Sequence, residues 1–260
     1  MKNRDRELKA FSRLLDVMDD LREGCPWDRK QTLQSLRPLT IEETFELADA
    51  IMEDDLAEIK NELGDILLHI VFYSKIGAEK KAFDIGDVCD AIVEKLIHRH
   101  PHIYGDVKVS DENEVKENWE KLKLKEGKKS VFEGVPSSLP SMVKAIRLQE
   151  KAKGAGFEWP SSQGAIEKIK EELEELQEAL NNEKDPESVE MEFGDFLFSV
   201  VNASRYFDVN ADNALEKTNK KFKRRFEHIE RRAKETGKAL DEMTLDEMDE
   251  FWDEAKALGQ

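Results

Sequence analysis

MEFGDFLFSVV (residues 191–201) and NELGDILLHIV (residues 61–71) decide the fold of this chain. Each opens with Glu-x-Gly-Asp or Glu-Leu-Gly-Asp and continues as an almost unbroken apolar run. The run is apolar nearly all round at helical spacing, which reads as a buried helix rather than a surface one. Glu192 and Asp195, like Glu62 and Asp65, stand three residues apart and therefore share one helix face. Gly64 and Gly194 sit inside these helices, where glycine costs about 1 kcal/mol against alanine. Their use predicts close approach of a neighbouring helix.

The likeness extends in both directions. Upstream, IEETFELADAI (41–51) matches KEELEELQEAL (170–180), so that Glu42, Glu43 and Glu46 fall on Glu171, Glu172 and Glu175. Earlier still, Trp27 and Gln31 of PWDRKQ fall on Trp159 and Gln163 of EWPSSQ. Downstream, Lys95 and Arg99 fall on Lys221 and Arg225, and Trp119 and Lys123 on Trp252 and Lys256. One helical unit is written twice. Gly, Pro and Ser gather in KLKEGKKSVFEGVPSSLPS, which sets the seam and gives domains of residues 1–127 and 128–260. Each half opens with an amphipathic helix, AFSRLLDVMDDLR or SMVKAIRLQEKAK, and holds four or five helices. GDVKVS (105–110) reads as a short extended segment, and Thr244 with Glu247 as a capping box opening the final helix.

Composition agrees with an all-α protein. Of the 260 residues only 13 are Gly and 7 Pro, while 38% are charged. The net charge of −17 excludes general nucleic-acid binding, which needs cations to neutralise phosphate. Cys25 and Cys89 form no CxxC pattern, so neither a disulfide framework nor a zinc site is expected. No run reaches membrane-span length, and the charged N-terminus lacks an apolar signal region; a cytoplasmic protein with no membrane partner is expected.

Four glutamates in IKEELEEL would alone be a solvated face. Opposite a buried pair of acids, twice over, they read differently. Burying carboxylates together costs several kcal/mol each unless a cation compensates. The ligands offered are all oxygens, which suits Mg²⁺ or Mn²⁺ and not zinc. The competing account is a buried ion-pair network with Lys or Arg. A di-iron bundle expects Glu-x-x-His; here the i+3 partners are Asp65 and Asp195, and His69 is matched by Ser199. His98, His100 and His102 in HRHPH are misaligned by Pro101.

Between Lys217 and Lys234 stand nine Lys or Arg and two acids. Lys221 and Arg225, one turn apart, suit phosphate oxygens beside a metal held by carboxylates. Trp252 and Lys256 share a face; the indole is either core or a platform for a base. No GxxxxGK[ST] or GxGxxG motif is present.

The EExxE run followed by ExxD, carried twice with CPWD and Gln31 ahead of the first copy, resembles the MazG nucleoside triphosphate pyrophosphohydrolases over almost the whole chain. The resemblance implies two tandem four-helix-type all-α modules in a homodimer. It implies Mg²⁺-dependent hydrolysis of NTPs and dNTPs between the α- and β-phosphates, giving monophosphate and pyrophosphate, with Mn²⁺ as a substitute. Glu172, Glu175, Glu192 and Asp195 would hold the metal, with Glu171 as a further ligand or base. Lys221 and Arg225 would contact phosphates, and Asn219, Trp252 and Lys256 would help hold the nucleotide. The first half keeps Glu43, Glu46, Glu62 and Asp65 as a metal set, with Lys95, Arg99, Trp119 and Lys123 as a second site. Val93 stands there in place of Asn219, and its basic helix is thinner. The rival readings are a non-enzymatic acidic scaffold and a single-substrate relative acting on dCTP or phosphoribosyl-ATP.

Overall fold

The computed structural model describes residues 4–109, 111, 114, 115, 118, 130–181 and 186–259. All regular structure among them is helical, and the chain divides into two compact units, Met1–Glu112 and Asn113–Gln260. The expected boundary after residue 127, and Trp119 and Lys123, lie outside the described residues. The extended segment expected at 105–109 is not a strand, and residue 110 is outside the described set. Among the described residues no helix is long and apolar enough to cross a membrane.

The first unit contains α1 (Asp5–Gly24), α2 (Leu33–Met52), α3 (Leu56–Glu79), α4 (Ile85–Arg99) and the short α5 (Pro101–Tyr104). Thr32 starts α2 through a reciprocal cap with Ser35, and Asp55 starts α3 by accepting from the amides of Ala57 and Glu58. The three-residue connection between α2 and α3 makes them antiparallel neighbours. Their seam, with α1 laid across it, buries Met18, Leu36, Val71, Phe72 and Ile76, against which Phe11, Leu15, Leu39 and Leu68 pack. Arg22 ties the end of α1 to the rest. Its Nε and Nη2 donate to both oxygens of Glu79, at 2.7 and 2.9 Å. Its Nη1 donates to the carbonyls of Asp28 and Gln31, which fixes the turn that follows CPWD.

The second unit contains α6 (Ser141–Gly154), α7 (Ser162–Asn181), α8 (Pro186–Arg205), α9 (Ala211–Thr236) and α10 (Leu245–Ala257). Here the buried positions are mostly small: Ala165, Ala179, Ala203, Ala233 and Ala255, with Leu176, Val201 and Ile229. The capping box opens α10 as expected: Thr244 Oγ1 accepts from the Glu247 amide while Glu247 Oε2 accepts from the Thr244 amide.

Two expectations need correction. The run of α8 is not buried all round: Phe193, Leu197, Phe198 and Val200 are exposed, as are Leu63, Leu67 and Ile70 of α3. Each unit covers one side of its carboxylate-bearing helix and leaves the other open. Gly64 and Gly194 lie on the open side, and a methyl group built on either meets nothing within 4 Å. Among the described residues, no other helix of their own unit comes within that distance.

Candidate active site

The helix pairs α2–α3 and α7–α8 each bring carboxylates of the EExxE run against those of ExxD. In the first unit, oxygens of Glu43, Glu62 and Asp65 all lie within 4.8 Å of one another. In the second, the same holds for Glu172, Glu192 and Asp195. Burial falls steeply across each set. Glu62 and Glu172 are each 6% exposed, Glu43 and Glu192 are half-buried, and Asp65 and Asp195 face solvent. The acids are therefore buried on one side only, which corrects the reading that places Asp195 inside.

Glu62 Oε2 and Glu172 Oε2 are buried with no hydrogen-bond partner among the described residues. Such an orphan is costly and ordinarily has an explanation in an ion or a function. Desolvation pushes Glu62 up to about 7, helped by a hydrogen bond shared with Glu58 and by the charges of Glu46, Glu58 and Glu43. Glu175 is also raised, first by desolvation and then by the charge of Glu172, with Lys168 opposing. Three carboxylates converging with one buried oxygen unmatched, and only oxygen donors, fit a hard divalent cation. Glu46 and Glu175 do not join these three-oxygen groups but act on them through their charge.

Lys168 went unnoticed in the sequence. Its Nζ lies 2.6 Å from both Glu171 Oε1 and Glu172 Oε1, and these two partners hold the ammonium above its ordinary range. The i+3 and i+4 spacing in KIKEEL carried the signal. In repeat register its counterpart is Leu39, which packs on the first unit's core. The ion-pair account is thus met on one oxygen of Glu172 and fails on the other.

Beside the second cluster opens a cavity of about 800 Å³ whose lining includes Lys168, Glu172 and Asp195. Four aromatic side chains, Phe132, Phe157, Trp159 and Phe198, form much of its wall. Trp159 is held in place twice: Tyr206 Oη donates to its carbonyl at 3.2 Å, and its side chain occupies the space where a Gly164 side chain would stand.

Against known proteins, the model of the MazG nucleotide pyrophosphohydrolase domain matches twice, over residues 31–104 and 161–230. A Thermotoga maritima protein named nucleoside triphosphate pyrophosphohydrolase/pyrophosphatase MazG is 45% identical over 251 residues, 95% of each chain. The chain belongs to the MazG family. An Escherichia coli K12 protein named nucleoside triphosphate pyrophosphohydrolase is 37% identical across 96% of this chain and 98% of its own. The Bacillus subtilis protein YabN is 43% identical, with this chain spanning 51% of it. The all-α fold with two tandem MazG domains is thereby established.

The cationic residues of this MazG chain gather elsewhere, on α9 and α10. The Arg225 guanidinium lies 5.3 Å over the Trp252 ring, whose centroid is 5.3 Å from that of Phe222. The indole that the sequence offered to a base thus carries an arginine. Lys256 Nζ pairs with Asp253 at 3.0 Å, and Asn219 donates to Glu216 at 3.0 Å. Lys221 is exposed. None of these five lines the cavity. In the first unit, Lys95 is exposed and Arg99 half-buried on the last turns of α4. His69 is buried, its Nδ1 without a partner among the described residues, and its counterpart Ser199 donates to the Phe196 carbonyl.

Proposed function

We propose that this MazG protein hydrolyses nucleoside triphosphates, ribo and deoxy alike, between the α- and β-phosphates, releasing monophosphate and pyrophosphate. The observation that carries the reading is the buried, unpartnered Glu172 Oε2 amid carboxylate oxygens within 4.8 Å, facing a cavity of nucleotide size. Glu172, Glu192, Asp195 and Glu175 hold Mg²⁺, with Mn²⁺ as a substitute of the same ligand preference. The cation supplies charge neutralisation to the polyphosphate. The protein's part is positional. Lys221 and Arg225 take phosphate oxygens, Trp252 holds Arg225 in place, and Asn219 and Lys256 extend the same polar surface. Glu171, beside the metal ligands, accepts the proton of the attacking water.

The apolar residues left open on α3 and α8, beside Gly64 and Gly194, support a homodimer in which a second copy covers these faces. The second half is the principal site. The first keeps a metal set, but Leu39 replaces Lys168. A scaffold has no use for a buried carboxylate oxygen without a partner, which weighs against the non-enzymatic reading.

The test is product analysis with each common NTP and dNTP, with Mg²⁺ and with chelator. Monophosphate plus pyrophosphate, lost on chelation and in Glu192→Ala, is the expected result. Diphosphate plus phosphate would move the cut to the other bond and overturn the assignment.

A further inference from the structure

Helix α10 carries both Trp252 and Lys256, and it packs chiefly on α9. At 13 residues it is too short to be stable by itself, so its contacts with α9 decide where those side chains lie. The apolar part of the seam is small and smooth: Ile229 and Ala233 from α9 and Ala255 from α10, each buried. Residues of this size let the helices approach closely, but their low ridges do little to stop one turning on the other.

One polar group is set into this seam. His228 is 3% exposed, and each of its ring nitrogens meets a charged group. Arg231 Nη2 lies 2.6 Å from Nδ1, and Glu254 Oε2 on α10 lies 3.3 Å from Nε2. A guanidinium only donates, so Nδ1 accepts and the ring proton is on Nε2, where it points at Glu254. Arg232, one turn further along α9, donates to the same Glu254 oxygen at 2.9 Å and lies 5.1 Å over the Phe251 ring. These donors, His228 foremost, hold the Glu254 carboxyl below its usual range. An apolar side chain of similar volume would fill the seam without the cost of burying an imidazole. What the imidazole adds is direction.

Helical geometry couples this clamp to the cationic surface. At about 100° per residue, Trp252 and Glu254 leave α10 on opposite flanks of the fully buried Ala255. On one flank the Trp252 ring meets Arg225 at 5.3 Å; on the other Glu254 meets His228, three residues beyond Arg225. Helix α10 cannot turn about its axis without breaking both contacts. In repeat register His228 falls on His102, but α4 ends at Arg99, before Pro101. His102 stands instead on the short α5, its ring 5.5 Å from that of His100. Only the second half carries its basic helix through this position.

We propose that His228 is the positioning residue of the cationic surface: through Glu254 it fixes α10 on α9 and so holds Trp252 against Arg225, whose guanidinium takes phosphate oxygens. His228 itself touches no substrate. The proposal rests on the reading that Arg225 contacts the polyphosphate.

The test is a double-mutant cycle of His228→Ala and Arg225→Ala. It is read in kcat and KM for ATP and, with chelator present, in calorimetric binding of inorganic tripolyphosphate. His228→Gln keeps an N–H donor near the place of Nε2 and serves if the alanine variant disturbs folding, as judged by circular dichroism and thermal melts. The expected result is about a tenfold loss in His228→Ala, carried in KM more than in kcat, with His228→Gln near native. Adding His228→Ala to Arg225→Ala is expected to cost nothing more. Losses that add in the cycle would overturn the proposal, as would His228→Gln no better than His228→Ala. So would an Arg225→Ala variant that loses neither turnover nor tripolyphosphate binding. Tripolyphosphate binding that follows the expected cycle in a protein that cuts no nucleotide would refute the hydrolase reading and leave the positioning role standing.

Discussion

Replacing Glu172 by Gln removes one charge from the second cluster and keeps its volume. Glu192 and Asp195 place oxygens within 4.8 Å of it. At that separation, with an effective dielectric of about 20, each pair repels by about 3 kcal/mol. Lys168 at 2.6 Å opposes them with about 6 kcal/mol on the same scale. Lys168 is about one-third exposed, however, and keeps Glu171 at 2.6 Å in the variant, so solvent discounts its share. The charge interactions nearly cancel. What remains is the buried oxygen without a partner, worth about 1–3 kcal/mol of desolvation. Metal-free Glu172→Gln should therefore be as stable as the native protein or more so, by up to about 2 kcal/mol, or roughly 4–8 °C in Tm for a chain of this size. Magnesium reverses the order at this cluster: at a concentration a hundred times Kd the second site stabilises the native protein by about 2.7 kcal/mol, and the variant keeps only the shift that the first cluster supplies. Thermal melts with chelator and with saturating MgCl₂ read both terms. A variant that melts well below the native protein in chelator, yet keeps the full Mg²⁺ shift of the native protein, would make Glu172 a structural partner of Lys168 and refute the reasoning.

Three further outcomes follow from other parts of the molecule. Glu62, raised from 4.5 to about 7, binds a proton that the unfolded chain has lost; the stability it contributes is full below about 4.5 and disappears as pH rises through 7. Because a ligand must be ionised, Mg²⁺ entering the first cluster near pH 6 should expel close to one proton. Calorimetry in buffers of differing ionisation heat counts it, and no proton release would exclude Glu62 as a ligand. The Arg22–Glu79 bond holds Glu79 below the usual carboxylate range, so its contribution persists above that range and is lost as acid protonates Glu79. A double-mutant cycle by urea melts should give about 0.5–1 kcal/mol at neutral pH and nothing in acid; coupling that survives acid would contradict the ion-pair origin. Gly164→Ala places a methyl 2.6 Å from Trp159 Cδ1, forcing the indole aside at about 1–3 kcal/mol. A shifted Trp emission and weaker nucleotide binding are expected, and unchanged emission would show that the wall is not seated there.

The repeat, the helices and the two carboxylate groups were legible because acids at fixed helical spacing have little reason to recur, register included, unless geometry demands it. Lys168 was equally legible by spacing and was passed over because it lies one turn before the motif. The cavity was not legible. Its walls come from residues 132 and 157 in connecting segments and from residues 149 and 202 on two helices, and only folding brings them together. The apolar run of α8 was read as fully buried because periodicity reports how apolar a helix is and not what covers it. Gly64 and Gly194 were misread for the same reason: the space beside them is open within the unit. The pairing of Trp252 with Arg225 was not legible either, because the two stand on different helices and meet only in the fold.

The most direct test of the account compares turnover of NTPs in Asp195→Ala and Asp65→Ala, equivalent substitutions in the two halves, with circular dichroism confirming both are folded. The account predicts that Asp195→Ala loses about a thousandfold or more in kcat/KM while Asp65→Ala keeps most of its activity. Full activity in Asp195→Ala, or its loss in Asp65→Ala alone, would contradict the assignment of catalysis to the second half.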